Sequence, residues 1–129
     1  MPTGDTLNTE SREDALMERV THDDVDTVAA IEGVHLTQMA AGEKMSVQEF
    51  VIDPGAAVEK HDHPHEQTGY IVEGTLTFVV DGEEEIVVGP GDSYVIPGEE
   101  PHAAENRGDE TVVGVDIFSP PRTNAPWEE

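Results

Sequence analysis

From about Val25 onward the chain is built of short β-rich apolar runs, such as "TLTFVV" and "TVVGVDIF", none of which continues far before a turn-forming cluster breaks it. The breaks fall at Pro54-Gly55, Asp81-Gly82, Gly89-Pro90-Gly91, Pro97-Gly98 and Asn106-Arg107-Gly108. That rhythm leaves no room for a helix of ordinary length and predicts an all-β sandwich or barrel. The clearest hairpin is "TLTFVVDGEEEIVV", where Asp81-Gly82 is expected to take the positive φ values of a tight primed turn. Residues 1–24 are polar and weakly periodic and read as an N-terminal arm, partly mobile or a short helix, with Ser11 to Asp14 as a possible cap for "ALMERV". The barrel is expected over 25–119, followed by a tail at 120–129 whose three prolines stop any strand soon after Phe118.

At 129 residues one compact domain is the default. Twenty-nine Asp and Glu stand against six Lys and Arg, a formal charge of −23, so the surface must be dominated by carboxylates. Nucleic acid is not an expected partner, because its phosphates need a basic patch. Lys44 and Lys60 are the only lysines, a composition like that of proteins from salt-accumulating (halophilic) microbes, in which internal salt screens the self-repulsion. The absence of cysteine removes disulfide and thiolate chemistry. No apolar run approaches the ~18 residues of a membrane span, and no basic start precedes an apolar stretch, so a cytoplasmic protein without a membrane partner is expected.

The chemistry concentrates in "HDHPHEQTGY", residues 61–70. In extended backbone, residues two apart point the same way, so His61 and His63 can offer two imidazoles to one ion, and Gln67 shares their parity. Glu66 has the opposite parity, and a strand slipped by one would be needed to use it. His65 has the right parity but follows Pro64, and is read as an outer or surface residue. A metal needs three or four converging groups, and His102 in "PGEEPHAAEN" is the supplier from elsewhere in the chain. His22 and His35 have no companions. In "TVVGVDIF", Val113, Val115 and Ile117 fall on one face and Gly114, Asp116 and Phe118 on the other. If the second face lines a cavity, Asp116 is a candidate acid/base, Phe118 a wall and Gly114 the space for a ligand. Arg122 is expected to return over the mouth and pair with a carboxylate. The outer face of Val113, Val115 and Ile117 needs a cover, which predicts a homodimer.

These residues resemble the cupin family. Gly55, five residues, His61-Asp62-His63, three residues, Gln67, six residues and Gly74 reproduce the spacing of its first motif, with Gln67 in place of the usual Glu. Gly91, five residues, Pro97, four residues, His102, three residues and Asn106 reproduce the second, with Glu99 where the motif has glycine. The resemblance implies a double-stranded β-helix, or jelly-roll barrel, and one divalent transition metal, Ni, Zn, Mn or Fe, held by His61, His63, Gln67 and His102. Three neutral imidazoles and an amide would leave that ion its full +2 charge, which favours a small anionic substrate. "HPHEQ", "GDSYVIP" and "DIFSPPR" are similar to the cupins of pectin and alginate breakdown, which turn 4,5-unsaturated monouronates into linear 5-keto-4-deoxyuronates. That resemblance implies catalytic roles for Asp116, Phe118 and Arg122. The alternatives are an iron-dependent cupin dioxygenase and a non-catalytic module binding small acids or sugars.

Overall fold

Alternate burial along the strands sorts this chain into two layers. In the computed structural model, which describes residues 16–122, the strands are β1 (Thr27–Ile31), β2 (Val34–Ala41), β3 (Ser46–Ile52), β4 (Ala57–His61), β5 (Glu66–Glu73), β6 (Leu76–Val80), β7 (Glu85–Val88), β8 (Ser93–Ile96), β9 (His102–Glu105) and β10 (Val112–Ser119). Along β3 every second residue is buried, Ser46, Gln48, Phe50 and Ile52, and along β10 the buried set is Val112, Gly114, Asp116 and Phe118. A period of two is what a strand with one face on a core imposes. The strands form a six-stranded sheet in the order β1-β2-β3-β10-β5-β8 and a four-stranded sheet in the order β4-β9-β6-β7, with antiparallel pairing throughout. Phe50, Ile52, Ile71, Leu76, Phe78, Val88, Ile96 and Val112 fill the space between them. Each fully buried large side chain contributes about 1.5–3 kcal/mol.

The all-β expectation holds, and the described residues contain no α-helix. Leu16–Val20, the described part of the "ALMERV" segment, is not helical, and Ser11 to Asp14 lie outside the described residues. A 3-10 turn at His22–Asp24 follows. Val20 and His22 lie against Met39, Val47, Glu49 and Val115 on the outer face of the larger sheet, with His22 Nε2 2.9 Å from Glu49 Oε1.

The β6–β7 hairpin forms, but not through a two-residue primed turn. Asp81–Glu83 makes a 3-10 turn, and the residue with positive φ is Glu83, at 68°. The longer loop is closed by Val80 N–H donating to Glu84 O. A second positive φ, 71°, falls on Glu99. There a glycine would be free of strain, whereas an L side chain pays the left-handed penalty. The turn is nevertheless kept, because the Glu99 N–H donates to His63 O at 2.7 Å. Gly98 permits the approach, since a Cβ there would lie 2.5 Å from Pro64 O. This contact fastens the loop before β9 to the loop between β4 and β5.

Candidate metal centre

The seven residues from His61 to Gln67 carry the chain from one sheet to the other. His61 ends β4 in the smaller sheet, His63 lies in the connecting loop, and Gln67 is the second residue of β5 in the larger sheet. The two imidazoles therefore do not share one strand, as the parity argument assumed; the crossing itself brings them together. Parity does decide within β5, where Glu66 is exposed and Gln67 is buried. His102 opens β9 and is the register partner of His61.

One ring nitrogen from each of His61, His63 and His102 lies within 4.8 Å of the other two, close enough to share an ion. Their orientation is set by the backbone: His61 Nδ1 meets Glu59 O at 2.9 Å, His63 Nδ1 meets His65 O at 3.1 Å, and His102 Nδ1 meets Glu100 O at 2.9 Å. With each Nδ1–H donated to a carbonyl, Nε2 carries the lone pair in the neutral ring, which is the arrangement metal-binding histidines use. Burial keeps all three rings neutral by lowering their pKa values, His102 to about 4. Arg122 adds a positive charge that pushes each further in the same direction.

Gln67 completes the set. Its Oε1 is 3.1 Å from His63 Nε2, so that two lone-pair atoms face the same point, and its side chain lies near the Asp116 carboxylate. The amide nitrogen is the group able to donate to that carboxylate, so the amide oxygen faces the histidines. A glutamate here would set two carboxylates against each other. Four neutral donors with fixed tautomers fit a divalent transition metal.

Asp116, Phe118 and Arg122 line the same cavity as His61, Gln67 and His102, a cleft of about 500 Å³ including its open mouth. All three are buried. The Arg122 guanidinium carbon lies 4.4 Å above the Phe118 ring, and its backbone N–H donates to Ser46 Oγ at 2.9 Å. Burial raises Asp116 to about 6, against the opposing pull of Tyr94, Gln67 and Arg122. Gly114 does not provide ligand space. A Cβ at Gly114 would lie 2.2 Å from Phe50 Cζ, so the Phe50 ring already fills the gap. His65 stands beside His63 and Phe118, with ring centroids 5.4 and 6.0 Å away, and remains outside the three-histidine group.

Two further residues of the cavity carry no local signal in the sequence. Register places Gln38, Gln48, Asp116, Gly69 and Tyr94 in one row across β2, β3, β10, β5 and β8. Gln48 is buried in the cavity wall and accepts from Gln38 Nε2 at 2.5 Å. Tyr94 donates to Asp116 Oδ1, also at 2.5 Å. Hydrophobic alternation reports which face a residue occupies, not which residue stands beside it on another strand.

The model of the cupin domain matches residues 48–118, more than half of the chain. This protein belongs to the cupin family. Among solved structures, this cupin is similar to KdgF from Halomonas sp., with 28% identity, a TM-score of 0.72 and coverage of 81% of this chain and 96% of that one. An RmlC-like cupin from Shewanella frigidimarina aligns with 25% identity and a TM-score of 0.71, covering 82% and 96%. The H2HPP isomerase of Bacillus subtilis is 32% identical over 66 residues, 51% of this cupin and 28% of that protein. The match therefore spans under a third of the isomerase. The fold is the RmlC-like double-stranded β-helix that the two motifs imply.

Proposed function

We propose that this cupin is a metal-dependent enzyme that converts 4,5-unsaturated monouronates to linear 5-keto-4-deoxyuronates. The observation that carries the reading is the convergence of Asp116, Phe118 and Arg122 on the cavity lined by His61, Gln67 and His102, with His63 beside them. The similarity to KdgF and to an isomerase supports a small-molecule enzyme of this kind. A divalent ion on the four donors would supply Lewis-acid stabilisation of negative charge on the substrate. Arg122, braced on Phe118 and Ser46, binds the substrate carboxylate, and Phe118 forms the wall beneath it. Asp116 takes the proton of the anomeric hydroxyl as the bond from the anomeric carbon to the ring oxygen breaks. The enolate electrons then take the proton back at C4, so the reaction is an isomerisation that needs no co-reactant. A carboxyl near 6 serves both transfers at neutral pH.

The same reading includes a homodimer. Val113 and Val115 on the outer face of β10 are half-buried, and Ile117, Tyr70, Val72 and Val95 beside them are exposed. A second copy would cover them.

The test is loss of the conjugated double-bond absorbance of unsaturated galacturonate or mannuronate, run with elemental analysis. Asp116→Ala should keep its metal and lose about 10²- to 10⁴-fold in turnover. Full turnover in that variant would sink the assignment. Oxygen uptake with iron bound would point to a dioxygenase, and binding of uronates without consumption would point to a non-catalytic module.

A further inference from the structure

The row that carries Asp116 contains one position without a side chain. Gly69 on β5 stands between Asp116 on β10 and Tyr94 on β8. It is not among the positive-φ glycines, so its backbone conformation is open to any residue. Space is what excludes a side chain: a Cβ would lie 2.2 Å from both Cζ and the hydroxyl oxygen of Tyr94, and 2.5 Å from Asp116 Oδ1. Adjacent strands are about 4.8 Å apart, so Tyr94 and Asp116 are separated by about twice that at the backbone. A phenol can span this distance only if the strand between them offers no obstruction. On its far side the Tyr94 ring is held by Phe78, with centroids 4.7 Å apart.

We propose that Tyr94, admitted through the gap at Gly69, is a positioning residue for Asp116. Its hydroxyl pins Oδ1 and thereby fixes how the carboxylate faces the cavity. Gln67 lies near the same carboxylate on the side of the histidines, so Asp116 is flanked from two directions. Groups that orient a reacting side chain in this manner act through geometry rather than by touching substrate. The catalytic consequence rests on the ring-opening reading above; the contact itself does not.

Tyr94→Phe removes the hydroxyl and keeps the ring. It should lower kcat about 10- to 100-fold, the range found for partners that orient reacting groups, with KM, metal content and thermal midpoint close to those of the unaltered protein. Gly69→Ala closes the gap and crowds Asp116 Oδ1 as well, so its loss should be at least as large, and the double variant should be no worse than Gly69→Ala alone. An unchanged kcat in Tyr94→Phe overturns the proposal, as does a loss confined to KM, which would make Tyr94 a substrate contact. If the unaltered protein leaves unsaturated uronates untouched, the ring-opening reading falls by itself. The pair is then read by carbon-13 NMR of the Asp116 carboxyl, identified by its disappearance in Asp116→Asn. That resonance should shift in Tyr94→Phe, and an unmoved resonance overturns the proposal even if Gly69→Ala does not fold.

Discussion

Asp116 and the histidines respond to burial in opposite directions, and acid should expose the opposition. His102 is pushed down to about 4 from an ordinary 6.5, and His61 and His63 move the same way. Between those pH values the unfolded chain binds protons that the folded rings refuse, so acidification destabilises the fold. Asp116 is raised to about 6 from an ordinary 3.8, so in that window the folded carboxyl keeps a proton the unfolded one releases, and acidification stabilises. In metal-free protein the two effects oppose each other between roughly pH 4 and 6. Metal-free Asp116→Asn retains only the histidine effect. Its thermal midpoint should therefore fall more steeply than that of the unaltered protein between about pH 6.5 and 4.5. Parallel slopes would show that Asp116 does not carry the raised pKa. The residues of this site divide by how their contacts arise. His61, His63 and His102 stood out by their motif spacing, although the crossing from β4 to β5 rather than strand parity brings the first two together, and parity separates only Gln67 from Glu66 on β5. Tyr94 did not stand out, since its contact with Asp116 depends on the register of three strands. Gly114 was legible as a gap in a side-chain row, but the Phe50 ring that fills it comes from β3.

Turns show which glycines the fold requires. Gly74 has φ 82°, and a Cβ there would lie 2.5 Å from Thr111 O and 2.8 Å from Val112 Cα. Gly55 has φ 84° with nothing within 4 Å. Both Ala variants incur the left-handed penalty of about 1–2 kcal/mol, but only Gly74→Ala adds a collision with backbone. Thermal denaturation should thus show a distinctly larger loss for Gly74→Ala than for Gly55→Ala. Glu99→Gly should do the reverse and gain up to about 1 kcal/mol, since it relieves strain while the N–H bond to His63 O remains. A loss in that variant would mean the exposed Glu99 side chain contributes something the backbone argument omits. The turn after β6 was harder to read. Asp-Gly favours a two-residue turn locally, yet the described loop runs on and places its left-handed residue at Glu83.

Over the whole molecule, the paired motifs were legible because their ends meet. Gly55 N–H donates to Asn106 O at 2.9 Å, and Asn106 Nδ2 donates to Ile52 O and Glu110 O, at 2.9 and 2.8 Å. Spacing between these residues is thus closure geometry, which tolerates little change in length. The charge of −23 belongs to the same scale. Raising salt from about 0.1 to 1 M shortens the screening length from about 10 to 3 Å, so the thermal midpoint should rise across that range. A midpoint that falls would show that surface repulsion is not the governing term. Sedimentation at high salt should give a dimer. A monomer would leave Val20 and His22, which already lie along the outer face near Val47 and Val115, as the described residues that shield it.

The three bonds from imidazole Nδ1 to backbone carbonyls carry a last implication. The lone pairs that would receive an ion are aimed by main-chain atoms on β4, in the loop just before β9 and in the loop between β4 and β5, and those positions are held by the strands on either side. An ion bound there would therefore be a replaceable fitting rather than a rivet. Stripping it with a chelator should silence the enzyme while leaving its far-ultraviolet circular dichroism unchanged, and the cation found on refilling should reflect what the surroundings offer.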